Sequence, residues 1–223
     1  MINTILHGGF ILKTYHTFLL LLVFVLLLTS CAVSPTIEQD DLISQRITIQ
    51  QEIRQSRILH DQALEQLRET HPEACTLYDQ ARIAESQGQL DIAIETYHKA
   101  MQQVPENGLL LTGLGMAYLR NEDIVPARRY LIKAVRFDPD YYKSHLGLGY
   151  IYLQNRQFPK AISQLEASLQ LLPTTQGTFL LGEAEEEQGN LLRARELYQV
   201  VVQVDKNGKL GQVAATRLRS LSK

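Results

Sequence analysis

From Ala74 onward, small and large apolar residues recur with a period of 34. Segments beginning at Ala74, Gly108 and Tyr142 align without a gap, and a fourth begins near Thr175, one residue early. The eighth position of each segment is small: Ala81, Gly115, Gly149 and Gly182. The twentieth is Ala93, Ala127, Ala161 and Ala194; the twenty-fourth is Tyr97, Leu131, Leu165 and Tyr198. The twenty-seventh is Ala100, Ala134, Ser168 and Val201. Pro105, Pro139 and Pro173 stand at the thirty-second, where the last segment has Lys206.

These columns predict two antiparallel helices per segment. Small residues at positions eight and twenty let the pair approach closely, and the larger residues at seven, eleven and twenty-four fill the space beside them. Leu114 with Tyr118, and Leu148 with Tyr152, supply positions seven and eleven of the middle segments. Proline at thirty-two ends the second helix, because it lacks an N–H and disfavours helix in the residue before it. Gly88 and Gly189 fall at the turn inside their segments. Pro126 and Pro159 fall within the first turn of a second helix, where a missing N–H costs nothing. Asp123 is placed to cap the helix that carries Pro126.

The pattern resembles the tetratricopeptide repeat family, a 34-residue helix-turn-helix unit. The resemblance covers residues 74–207 and is strongest in the second and third repeats. Repeat one departs at Gln80 and Ala84, and repeat four at Glu185 and Lys206, as expected at array ends. It implies an all-α fold: an α-solenoid of antiparallel helix pairs in a right-handed superhelix, preceded by a long N-terminal helix. The repeats are 74–107, 108–141, 142–174 and 175–207. Residues 208–223 read as a capping helix, with Leu210, Val213, Leu218 and Leu221 over the last repeat and Lys and Arg outward.

Upstream the pattern changes. Residues 18–28 form an apolar run of eleven behind Lys13. A spanning helix needs roughly 20 such residues, whereas this length suits the core of a secretory signal peptide. Leu28-Thr29-Ser30-Cys31 then resembles the bacterial lipobox, in which the cysteine is acylated and the peptide is cut before it. That resemblance implies residues 1–30 as signal peptide and Cys31 as lipidated first residue, with palmitate-type acyl chains holding it in the membrane. Ala32 in place of aspartate implies sorting to the outer membrane, facing the periplasm. Residues 31–41 form a tether reaching no further than roughly 30 Å. Residues 42–72 read as one long helix, capped by Asp41, with Leu42, Ile49, Ile53, Ala63 and Leu67 near one stripe.

Composition removes other classes. Twenty-two Lys+Arg against 24 Asp+Glu gives no electrostatic reason to expect nucleic acid, or polybasic docking on a membrane. With Cys31 lipidated, Cys75 has no disulfide partner and reads as a small apolar helix residue. The six histidines show no metal-ligand spacing, and no phosphate loop or catalytic constellation occurs, so no enzyme, cofactor or metal is expected. Glu183, Glu185, Glu186 and Glu187 read as a solvated face, since consecutive carboxylates on a helix point in different directions. His145 reads as a packing residue.

In the family, first-helix positions two, five, nine and twelve line a concave groove. Carried over, the resemblance implies Tyr78 and Arg82 from repeat one, and Leu109, Thr112, Met116 and Leu119 from repeat two. Repeat three gives Leu146, Tyr150 and Leu153; repeat four gives Phe179, Glu183 and Glu186. Tyr78 and Arg82 do not match the lysine and asparagine with which the chaperone-tail-binding subset clamps a carboxylate. The expected function is an adaptor in the bacterial envelope, lipid-anchored at Cys31 and holding a segment of an envelope protein in the groove. Pilotins of pilus and secretin assembly, and adaptors for envelope enzymes, share this architecture. The alternative is a self-assembling structural lipoprotein that forms a homodimer through residues 42–70.

Overall fold

The computed structural model describes Arg54, Arg57, Ile58 and residues 60–205 and 207–221. Cys31, the apolar run, the tether and most of the 42–72 helix lie outside the described residues. Those residues fold into a leading helix α1 (residues 60–70), four helix pairs and a terminal helix. The pairs are α2 (Pro72–Ser86) with α3 (Leu90–Gln103), α4 (Gly108–Arg120) with α5 (Ile124–Phe137), α6 (Tyr142–Gln154) with α7 (Phe158–Leu171), and α8 (Thr175–Gln188) with α9 (Leu191–Val204). Helix α10 (Lys209–Ser220) closes the array. No described helix is long and apolar enough to cross a membrane.

The repeating columns are the core. All residues at positions twenty, twenty-four and twenty-seven are fully buried. Position eight is small because position twenty-four presses on it. A Cβ on Gly115 would lie 2.7 Å from Leu131 Cγ, one on Gly149 2.6 Å from Leu165 Cγ, and one on Gly182 2.8 Å from Tyr198 Cε1. Burying a side chain such as Leu131 or Leu165 stabilises by about 1.5–3 kcal/mol, so the glycine column is what makes that burial geometrically available. Each repeat packs on the next, joining the clusters into one elongated core.

The turn within each pair has a fixed conformation. Gly88 and Gly189 sit at φ 75° and 93°. The equivalent residues of the middle repeats are not glycine, yet Glu122 and Arg156 adopt φ 63° and 57°. Helix starts vary: Asn107 accepts from the Leu110 N–H and Thr174 from the Gly177 N–H. Asp123 occupies the expected cap position but its side chain makes no cap bond. It accepts instead from Asn121 Nδ2 at 2.9 Å.

The leading helix ends at 70, His71 is non-helical, and α2 begins at Pro72. Two expectations for α10 need correction. In α10 the buried residues are Gly211 and Ala214, not Val213, which is 39% exposed; Leu210, Leu218 and Leu221 do pack on Phe179, Tyr198 and Val201. Arg217 does not point outward but reaches Glu183 and Glu186 of α8, at 3.5 and 3.7 Å.

Candidate functional site

The inner face is built from the starts of the first helices and from the turns that lead into them. A cleft of about 540 Å³ is lined by Arg57, His60, Arg82, Tyr141, Tyr142, Lys143, residues 172–175, Thr178, Val200, Val201 and Val204. Leu172, Val200, Val201 and Val204 give it apolar walls; Thr174, Thr175 and Thr178 add hydroxyls. His60 of α1 stacks on Tyr141, with centroids 5.5 Å apart, so the leading helix reaches the end of the second repeat.

Its charge is of one sign. Three cations line the cleft, no carboxylate does, and among the described residues none of the three has an ion-pair partner. Burial, and then the Arg82 charge, hold the Lys143 ammonium below its ordinary range. Burial, and then Lys143, hold His60 down too. Burial pushes the Tyr78 hydroxyl up to about 12 and Tyr141 also upward. Glu85, in the hollow that shares Arg82 and Lys143, offsets part of their charge, but cations crowded beside apolar walls still favour an incoming anion.

A smaller niche, about 230 Å³, adjoins through shared Arg82, Tyr141 and Lys143. It contains five of the residues expected in the groove: Tyr78, Arg82, Leu109, Thr112 and Met116. Of these, Tyr78, Leu109 and Thr112 are 2–3% exposed, so they form its floor rather than an open surface. At the other end Leu153, Glu183 and Glu186 share a separate niche with Arg156 and Arg217. Leu119, Leu146, Tyr150 and Phe179 line none of these hollows. Leu119 and Leu146 pack into inter-repeat clusters, Phe179 lies against Tyr198, and only Tyr150 is open, at 36%. The expected continuous apolar groove is therefore divided.

The expected solvated face of glutamates is also corrected. Glu185 is 1% exposed and paired with Arg193 and Asn190. Glu186 accepts from Tyr198 Oη at 2.7 Å. Only Glu187 faces solvent, 3.8 Å from Arg156. His145 is buried with both ring nitrogens engaged, by Gln164 Oε1 and the Pro139 carbonyl, each at 2.9 Å. Cys75 is buried, and burial pushes its thiol up, away from reactivity. Among the described residues no group of three His, Cys, Asp or Glu could hold a metal.

Sequence reasoning missed Arg57, His60, Tyr141, Tyr142 and Lys143. One signal was available: the position-two column that supplies Leu109 in repeat two falls on Lys143 in repeat three. The others come from the junction of repeats two and three and from the segment 57–60, which the column rule does not reach.

Two sequence models described as tetratricopeptide repeat match the chain, over residues 84–144 and 146–208. The chain belongs to the tetratricopeptide repeat family, and its array is a protein–protein interaction scaffold. Residues 41 to the end of MamA from Desulfovibrio magneticus RS-1 superpose with a TM-score of 0.56 at 18% identity, over 67% of this chain and 93% of that one. A thermophilic TPR protein of Thermus thermophilus gives 0.54 at 21% identity, over 78% and 98%. The BBSome complex member BBS4 of Bos taurus is 38% identical over 77 residues, which is 34% of this chain and only 15% of that protein.

Proposed function

We propose that this chain is a lipid-anchored adaptor of the bacterial envelope, fixed through Cys31 in the outer membrane and facing the periplasm. It holds a segment of an envelope protein in the cleft beneath α1. The segment carries at least one carboxylate and an apolar residue. The observation behind this reading is the set Arg57, Arg82 and Lys143, three cations with no carboxylate partner beside the valines of α9. The array would act by fixing orientation and raising local concentration, not by bond chemistry. Assembly of a pilus, secretin or other envelope complex is the setting we favour, by likeness of architecture.

A photo-crosslinking side chain at Thr178, in cells, tests the cleft. The captured segment should be acidic, and capture should fall with Arg82→Glu and Lys143→Glu while helicity holds. Capture that ignores both charge reversals would sink the cleft as the site. Palmitate labelling lost in Cys31→Ala checks the anchor separately.

A further inference from the structure

The total charge hides a local concentration of one sign. Helix α5 carries Arg128, Arg129, Lys133 and Arg136 and no carboxylate. Its core side is Ala127, Leu131 and Ala134, all fully buried. Directly opposite, Val125, Arg129, Ile132 and Arg136 are spaced four, three and four residues apart, which puts them on one line. Val125 is 73%, Ile132 48% and Phe137 42% exposed.

No other second helix of a pair is like this. On α3, Lys99 is paired with Glu95; on α9, Arg193 is paired with Glu166 and Glu185. Among the described residues none of the four α5 cations has an ion-pair partner. Arg129 lies over the neighbouring Tyr130 ring, 4.9 Å from its centroid. Of the carboxylates flanking the helix, Asp123 accepts from Asn121 and Asp138 from the Asp140 backbone.

We infer that the outer face of α5 rests on an anionic phospholipid surface as a second membrane contact. Cations along one line attract the headgroups, and the apolar side chains interleaved with them enter the headgroup boundary. An acidic protein would satisfy the charges but leave Val125, Ile132 and Phe137 scattered among them rather than gathered into a patch. The anchor at Cys31 enters this inference only by supplying proximity.

The chain contains no tryptophan, so Ile132→Trp places a single indole on this face. The full chain is bound to vesicles of phosphatidylcholine, with or without phosphatidylglycerol, doped with brominated lipid. Indole emission should shift to the blue and be quenched on the anionic vesicles only. High salt should reverse this. Arg129→Glu with Arg136→Glu should weaken the quenching at least about tenfold in lipid concentration, with helicity unchanged. An indole at Val213→Trp on α10 should stay unquenched throughout. Quenching that ignores charge reversal, or an unquenched indole on protein that still sediments with vesicles, overturns the α5 contact and leaves the face to an acidic protein. On phosphatidylcholine vesicles, which offer α5 no anionic headgroup, sedimentation retained unchanged in Cys31→Ala would instead count against the anchor.

Discussion

Arg193 reaches from the first turn of α9 to Glu185, its Nη1 lying 2.9 Å from Oε1 of a carboxylate that is 1% exposed. Asn190 donates to the other oxygen at 2.6 Å. Oε1 thus takes charge from the guanidinium without a well-aligned hydrogen bond. The same position holds Tyr118 and Tyr152 in the middle repeats, where an apolar ring needs no counter-charge. Removing the guanidinium leaves a buried charge short of a partner. Arg193→Ala should therefore destabilise the fold by about 1–3 kcal/mol. Glu185→Leu alone should cost less, because an apolar residue of similar volume replaces the ion. A double-mutant cycle by urea unfolding measures the coupling; additive losses would show that the pair acts as two independent residues.

The array was legible because its columns report one physical demand made four times. Each repeat must bury its tyrosine or leucine at position twenty-four against a small residue at position eight. The groove was less legible, because its inner-face residues are shared with the next repeat. Leu109, Leu146 and Phe179 are buried by neighbours that no single repeat reveals. The glutamates of α8 looked solvated because their partners lie on other helices. Their partners Arg193 and Arg217 come from α9 and α10, at distances no local pattern predicts. The cleft itself depends on turns and on α1, where the repeat carries no rule.

The intra-repeat turns offer a direct stability test. Glu122 sits at φ 63°, in the left-handed region that costs a residue with a Cβ roughly 1–2 kcal/mol. Glycine avoids that cost but loses about 0.5–1 kcal/mol through the freedom of its unfolded chain. Glu122→Gly should thus stabilise by up to about 1 kcal/mol. Gly88→Ala should destabilise by a similar amount, even though a Cβ there would meet nothing within 4 Å. Thermal unfolding should raise Tm for Glu122→Gly and lower it for Gly88→Ala; the reverse pair of shifts would place the effect in the unfolded chain alone.

Lys143 makes stability depend on pH in a specific direction. Its folded pKa is depressed below 10.5 by burial and by Arg82, so the unfolded chain binds this proton more tightly. The resulting penalty is full below the folded pKa and vanishes as pH rises past the unfolded one. Lys143→Met should consequently stabilise the protein at neutral pH, with the gain shrinking toward pH 10.5. The same variant should bind its acidic partner more weakly. Denaturant titrations from neutral to alkaline pH give the first readout. A gain that grows with pH would contradict the depressed pKa.

The end of the array depends on α10 through both packing and charge. Ala214, Leu210, Leu218 and Leu221 cover Phe179, Tyr198 and Val201, and the Leu221 carbonyl accepts from Arg195 Nη2 at 2.8 Å. Arg217 adds the tie to Glu183, whose carboxyl burial pushes up and Arg217 pulls back down. Their attraction exists only when Glu183 is ionised. Arg217→Ala should therefore cost little in acid, and progressively more as pH rises through the folded pKa of Glu183. The magnitude at neutral pH should be about 1 kcal/mol, since the guanidinium is 43% exposed. Hydrogen exchange should show the loosening in α8 and α9 and leave α4 and α5 protected, because repeats couple mainly to their neighbours. A loss that stays constant from acid to neutral pH would mean that Arg217 acts through the packing of its stem and not through its charge.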